Sequence, residues 1–330
     1  MGIRIAVLAI ALFSAKSLFA SVGFQRATVP DPHGKPIAVA IWYPSDALAS
    51  LHPLELFTQT VATDGGVSGK GLPLVVISHG AYGNLASHYD TALALAHAGF
   101  VVAALTHTGD NSSDQSYIGN RIDLTDRPRQ VKVVLDWMLS TWASHGDLDP
   151  GRVGMFGFSL GGFTTLVEIG GTPEFARMAL LCKTHADAPE CAFIKSSHGD
   201  QLEPNPRKPV WTHDATIRAA VVAAPAVAFL FGPGDLRQVR IPVQLWRAEK
   251  DTSAPDAWNS GLVRSELPKH PEARLVPDAD HYAFLAPCSK ALAAAVPEIC
   301  QDPPGFDRTA FHREFNAAVV AFFQHELTKR

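Results

Sequence analysis

Short apolar runs alternate with amphipathic segments along most of the chain. The runs are rich in β-branched residues and are bounded by Pro, Gly or polar residues, which is typical of buried strands. They are Ile37 to Tyr43, Leu74 to Ser78, Phe100 to Leu105, Val153 to Phe156, Ala219 to Ala224, Val243 to Ala248 and Arg274 to Val276. Apolar positions at helical spacing predict helices over Ser87 to Ala98, Pro128 to Ser140 (with the proline in the first turn) and Phe311 to Leu327. This repetition predicts an α/β fold with a mostly parallel central sheet and helices on both faces.

No internal repeat or long linker divides the chain, so residues 21–330 are predicted to form a single domain. A Pro-rich polar insertion at about 172–217 is expected to be a cap or lid, the alternative being a surface loop pinned by a disulfide. At the start, Arg4 precedes an apolar run from Ile5 to Phe13 and a small-residue site near Ala20, which predicts a signal peptide over residues 1–20. The run is too short to span a bilayer, so no stable membrane span is expected after cleavage.

Composition narrows the class of protein. The chain has 330 residues, of which 47% are hydrophobic and 18% charged, and this excludes disorder as its main state. A formal net charge of −4 argues against a nucleic-acid partner. The four cysteines, Cys182, Cys191, Cys288 and Cys300, allow three pairings, and the two local pairings would close short loops. Export to an oxidising compartment, periplasmic or extracellular, makes these disulfides plausible, whereas four free thiols are the alternative.

One glycine-rich segment carries the main chemical signal. Gly157-Phe158-Ser159-Leu160-Gly161-Gly162 follows a predicted strand directly and precedes a helix-compatible run. A G-x-S-x-G sequence between strand and helix holds a serine in a strained turn with its hydroxyl exposed above the sheet. Ser159 is therefore the predicted nucleophile.

A serine hydroxyl needs a histidine as base and an acid that orients the histidine. The chain supplies both in the order expected for such a turn, with Asp251 after one predicted strand and His281 after the last. Glu249 is the competing acid, although its place at the strand end favours a side chain directed into the sheet. His270, His312 and His325 are interpreted as surface residues.

Two backbone N–H groups are needed to stabilise a tetrahedral oxyanion. The first is predicted at Leu160, directly after the nucleophile. The second is predicted at Ala81 in His79-Gly80-Ala81-Tyr82-Gly83, with Tyr82 as the alternative donor. Tyr82 and Phe158 are also candidates for lining an apolar substrate pocket, and His79 is interpreted as a scaffold residue.

These motifs give the chain a clear resemblance to a known family. Five segments resemble the platelet-activating-factor acetylhydrolase and predicted dienelactone hydrolase group. They are Ile41-Trp42-Tyr43-Pro44, Ser78-His79-Gly80, the serine turn, Asp280-His281-Tyr282-Ala283-Phe284-Leu285-Ala286-Pro287-Cys288 and Asp302-Pro303-Pro304-Gly305-Phe306-Asp307-Arg308. The resemblance implies an α/β-hydrolase fold with a small cap insertion, a triad of Ser159, Asp251 and His281, and a carboxylic ester hydrolase activity. The chain departs from this group in two ways. True dienelactone hydrolases have a cysteine nucleophile, where this chain has Ser159. The acetylhydrolases of the group can also carry the acid after the preceding strand, where segment 224–229 of this chain has no carboxylate.

The predicted function is therefore hydrolysis of short-to-medium acyl esters through an acyl-enzyme. The expected partner is a small-molecule ester, and the mechanism requires no metal and no organic cofactor. The sequence itself indicates no oligomeric state. Two alternatives remain open, an amide or peptide hydrolase with the same triad, and a secreted binding protein on a hydrolase scaffold.

Overall fold

The structure is a computed structural model that describes residues 21–192 and 209–328. The predicted signal peptide and the middle of the predicted cap, residues 193–208, lie outside the described residues. Within the described ranges, no helix is both long enough and apolar enough to cross a membrane.

After five consecutive N-terminal strands, strands and helices alternate along most of the chain as the sequence predicts. The strands are β1 (Ser21–Val29), β2 (Ile37–Ser45), β3 (Ser50–Leu54), β4 (Phe57–Thr63), β5 (Leu72–Ser78), β6 (Val101–Leu105), β7 (Leu148–Phe158), β8 (Ile217–Ala223), β9 (Val243–Ala248) and β10 (Glu272–Val276). The helices considered below are α1 (Tyr89–His97), α2 (Arg121–Ser140), α3 (Leu160–Glu168), α4 (Ala176–Thr184), α5 (Ser260–Glu266), α6 (Lys290–Ala295) and α7 (Arg308–Thr328).

The strands form one sheet in the order β10-β9-β8-β7-β5-β6-β2-β1-β4-β3. The six strands from β10 to β6 are parallel, and β2 runs antiparallel to both of its neighbours. Parallel strands end at one edge of the sheet, and ligand sites of open α/β sheets lie there. This topology is that of an α/β-hydrolase, which confirms the predicted fold class.

Alternation along β5 shows why helices cover both faces. Leu74 and Val76 point into a core that includes α2 and α3, whereas Val75 and Ile77 point into a second core that includes α1 and α7. Successive side chains of a strand face opposite sides, so an unbroken apolar run requires cover on each side.

The predicted start of α2 is wrong. Pro128 lies inside the helix rather than in its first turn, and the helix begins seven residues earlier at Arg121. The side chain of Asn120 accepts a hydrogen bond of 3.0 Å from the backbone N–H of Asp123, which caps the true N-terminus. Pro128 cannot donate an intrahelical hydrogen bond, and it is buried on the core face of the helix.

Candidate active site

Ser159 occupies a strained turn between β7 and α3. Its backbone has a φ of 55° and a ψ of −119°, a conformation that costs about 1–3 kcal/mol for a non-glycine residue. Glycines on either side permit the crowding, because a Cβ at Gly157 would lie 2.1 Å from the carbonyl oxygen of Gly161. A Cβ at Gly161 would in turn lie 2.0 Å from the carbonyl oxygen of Ser78. The turn therefore presses the end of β5 against the start of α3.

His281 links the serine to a carboxylate. Its Nε2 lies 2.9 Å from the Oγ of Ser159, and its Nδ1 lies 2.8 Å from Oδ2 of Asp251. A carboxylate only accepts hydrogen bonds, so Nδ1 donates to Asp251 and Nε2 is left to accept from the serine hydroxyl. All three side chains are at least nine-tenths buried. The structure thus brings together the three residues predicted to form the triad.

Local turns hold the acid and the base in place. The other oxygen of Asp251 accepts hydrogen bonds from the backbone N–H groups of Ser253 at 3.0 Å and Ala254 at 2.7 Å. His281 begins a short 3-10 turn, capped by the side chain of Asp280 through the N–H of Ala283. Both side chains are therefore fixed by the backbone that follows β9 and β10.

Glu249, the competing acid, points elsewhere. Its Oε2 accepts a hydrogen bond of 2.9 Å from the backbone N–H of Asp278, in the turn that leads to His281. Glu249 is exposed, so its side chain is not directed into the sheet as the sequence suggested, and its carboxylate is bonded to this turn while Asp251 is bonded to the imidazole. Asp251 is the carboxylate at the histidine.

The turn after β5 carries the predicted oxyanion donors opposite Leu160. A Cβ placed on Gly80 would lie 3.1 Å from the Cβ of Ser159, so this turn contacts the serine directly. The N–H of Tyr82 already donates to Oδ1 of Asp110 at 2.8 Å, which removes it as a donor to substrate. Within the described residues the N–H groups of Ala81 and Leu160 have no acceptor, which is the condition that oxyanion donors must meet. Their role stays a prediction.

The two predicted pocket residues differ in exposure. Phe158 is 3% exposed and packs under the imidazole of His281, with 4.9 Å between the ring centroids. Tyr82 is 43% exposed and has a φ of 62°. Burial raises the pKa of the Tyr82 phenol, as does the charge of Asp110. Phe158 therefore supports the base, and Tyr82 is the one that offers surface to a ligand.

The surface interpretation of His312 is wrong. This residue of α7 is 2% exposed, with Nδ1 at 2.6 Å from Oδ2 of Asp90 and Nε2 at 2.9 Å from the carbonyl oxygen of Ala283. The ring therefore lies between a carboxylate of α1 and a backbone carbonyl of the turn that begins at His281. Its spacing from Phe315 and Val319 places it on the apolar face of the helix, a signal that was present in the sequence. The pair braces the turn that begins at His281.

Two disulfides join the cysteines in their local pairings. Cys182 and Cys191 form the cap disulfide, and Cys288 and Cys300 form the C-terminal disulfide. Next to the cap disulfide, Oε1 of Glu190 accepts hydrogen bonds from the side chains of Trp258 at 3.0 Å and Asn259 at 2.8 Å. The described part of the insertion is thus tied to the segment that precedes α5.

The sheet order and the serine turn are those of the α/β-hydrolase fold, and comparison with known families agrees with this fold. The model of the dienelactone hydrolase family matches residues 60–191, so this part of the chain is similar to a family of α/β-hydrolase fold, and the similarity supports a hydrolase. The match includes Ala81, Ser159 and Leu160 but ends before Asp251 and His281. No curated protein matches the chain. In the part of the chain that the structure describes, no group of three or more His, Cys, Asp or Glu residues is arranged to hold a metal ion.

Proposed function

We propose that the protein is a serine carboxylic ester hydrolase that acts through an acyl-enzyme. The observation that carries the proposal is the position of His281 within hydrogen-bonding distance of both Ser159 and Asp251. A hydroxyl, an imidazole and a carboxylate in this order form the arrangement that activates serine for acyl transfer.

In the first step, the Oγ of Ser159 attacks the ester carbonyl carbon while Nε2 of His281 takes the hydroxyl proton. The N–H groups of Ala81 and Leu160 stabilise the oxyanion of the tetrahedral intermediate. The bond to the alcohol oxygen then breaks, and the imidazolium protonates the leaving alkoxide. Asp251 keeps the imidazole in the required tautomer and stabilises its positive charge.

In the second step, His281 removes a proton from water as the water oxygen attacks the acyl carbon. The resulting intermediate expels the oxygen of Ser159, which recovers its proton from the imidazolium. The products are one carboxylic acid and one alcohol, and the enzyme returns to its starting state. No redox or metal-dependent step is part of this sequence.

The test is hydrolysis of p-nitrophenyl esters from acetate to octanoate by the purified protein beside Ser159→Ala. We expect turnover by the wild type and loss of at least about 10³-fold in the variant, with the best acyl chain among the shorter members. Matched p-nitroanilides test for an amide hydrolase, and faster turnover of these would contradict the ester assignment. A folded wild type inactive on both series would instead favour a binding protein on this scaffold.

We also propose that the protein is exported. The cap disulfide and the C-terminal disulfide support this, because structural disulfides persist in oxidising compartments. The N-terminal sequence of the protein recovered from the periplasm or the medium is expected to begin near Ser21. Recovery from the cytosol with the initiating methionine intact would contradict export.

A further inference from the structure

A buried polar cluster lies directly behind the turn that carries Ala81. Its centre is Arg127 of α2, which is 1% exposed, together with Asp110 and Asp123, which are 0% and 2% exposed. Charged side chains are almost never buried to this extent unless each is paired. A cluster of this kind therefore needs a structural or a functional explanation.

Arg127 uses its guanidinium to join three separate elements. One terminal nitrogen donates to Oδ2 of Asp110, and the other donates to the carbonyl oxygen of His79. Its Nε lies 3.3 Å from the Oγ1 of Thr164 in α3, the helix that follows the serine turn. The planar fork of arginine suits this task, because its donors have a fixed relative geometry that lysine lacks.

Two contacts of the cluster hold the turn on both sides of Ala81. On the near side, Arg127 bonds the carbonyl of His79, and on the far side Asp110 accepts the N–H of Tyr82 at 2.8 Å. The segment between these bonds consists of Gly80 and Ala81 alone. The direction of the Ala81 N–H is thereby fixed at both ends of a two-residue span.

The cluster contains a second buried carboxyl group, that of Asp123. Burial raises the pKa of Asp123 well above its usual range, and the charge of the neighbouring Asp110 raises it further. Arg127 opposes this shift, whereas Asp126 on the same helix adds to it. The charged form of Asp123 is thus disfavoured beside the ion pair of Arg127 with Asp110.

We infer that Arg127 and Asp110 are positioning residues that aim the backbone N–H of Ala81 at the developing oxyanion. The inference rests on the proposed esterase function. It assigns the cluster a role in stabilising the transition state, distinct from a role in holding the fold together. A merely structural ion pair would affect the free energy of unfolding without affecting how tightly the site binds a tetrahedral oxyanion.

The test compares Arg127→Lys with Arg129→Lys in the full protein. Arg129 is the matched control because it lies on the same helix and is also paired, with both oxygens of Asp31 at 2.6 and 2.8 Å, yet it does not contact the turn. Three quantities are measured, namely kcat, KM and the inhibition constant of an alkyl trifluoromethyl ketone, which adds to a catalytic serine to give a tetrahedral oxyanion.

For Arg127→Lys we expect kcat to fall by about 10²-fold, as when one oxyanion donor is lost, with KM within about threefold of wild type. The inhibition constant should rise by about the factor by which kcat/KM falls, because both quantities depend on how well the site stabilises the oxyanion. The pH dependence of kcat/KM should keep its midpoint, since His281 is not displaced. Arg129→Lys should leave all these quantities within about threefold.

Several results would overturn the inference. Unchanged kcat and inhibitor affinity in folded Arg127→Lys would do so, as would losses of equal size in Arg129→Lys. If Arg127→Lys does not fold, Asp110→Asn is used, and the same paired loss in kcat and inhibitor affinity is required, of at least about tenfold. An active wild type that Ser159→Ala inactivates keeps the proposed function standing in either case, whereas an inactive wild type refutes both.

Discussion

Adding one methyl group at Gly161, in the serine turn, is expected to slow catalysis strongly while the protein still folds. A Cβ there would lie 2.0 Å from the carbonyl oxygen of Ser78 and 2.7 Å from that of His79. Contacts of this kind are not found below about 3.0 Å, so β5 and α3 must move apart by about 1 Å. The displaced strand end leads directly into the turn that carries Ala81.

The expected effect on rate follows from that displacement. A misplacement of about 1 Å at a catalytic group costs about 10²-fold in turnover, so Gly161→Ala should lose about 10²-fold in kcat. Overpacking of this kind costs about 1–3 kcal/mol of stability, which a domain with a typical folding free energy survives. The variant should therefore be folded and slow.

The assay is steady-state hydrolysis of the best p-nitrophenyl ester, with thermal unfolding followed in parallel. Gly146→Ala is the control, because a Cβ at that position meets no atom within 4 Å. We expect the control to keep the wild-type kcat. A folded Gly161→Ala whose kcat stays within about threefold of wild type would refute the link between the serine turn and the placement of the Ala81 N–H.

Three further predictions follow from the buried groups and the disulfides. Asp251→Asn should lower kcat by about 10⁴-fold, whereas Glu249→Gln should lower it less than about tenfold, since that side chain bonds the N–H of Asp278; the reverse order in ester hydrolysis would reassign the acid. Glu168 is fully buried, and within the described chain neither of its carboxyl oxygens accepts a hydrogen bond. Burial raises the pKa of Glu168 in the folded protein above its pKa in the unfolded chain. The wild type should therefore lose stability as the pH rises from the unfolded-state pKa toward the folded-state pKa. In Glu168→Gln this group does not titrate, so over the same pH range its free energy of unfolding should rise relative to that of the wild type by up to about 1.4 kcal/mol per pH unit, as measured by urea unfolding. Glu314→Gln, at an exposed position, should show no such pH dependence. Replacing both cysteines of the cap disulfide by serine should lower the free energy of unfolding by about 2–3 kcal/mol given the sequence separation of 9, and a loss below about 0.5 kcal/mol would show that the bond constrains little.

Strand periodicity made the parallel part of the fold predictable from the sequence. The runs that become β5 to β9 are short, apolar and punctuated by Pro, Gly or polar residues, so burial on both faces could be inferred without knowledge of their order, whereas β10 is an edge strand with four of its five residues exposed. The N-terminal strand β1 and the hairpin of β3 and β4 were not predicted. Their polar residues interrupt the apolar pattern, and their pairing depends on contacts distant in sequence.

A residue of the candidate site could be predicted when the pattern that indicates it lies within a short stretch of the sequence. Ser159 lies in a motif of consecutive residues, and Asp251 and His281 follow strand ends in the expected chain order. Arg127 gave no such signal, because Pro128 suggested a helix start and so hid the first turns of α2. The partners of Arg127 come from three other segments, and only the folded chain brings them together.

The strand order also means that the candidate site is complete only when the edge of the sheet is complete. In the sheet, β8, β9 and β10 add outward from β7 in the order in which they occur in the chain. A partly folded chain that has paired only as far as β8 already contains the serine turn, but it lacks the acid after β9 and the base after β10. Such an intermediate exposes the unpaired edge of β8 and has a hydroxyl without a proton acceptor. If Ser159 is the nucleophile proposed above, ester hydrolysis during refolding is expected to begin only after β9 and β10 have docked.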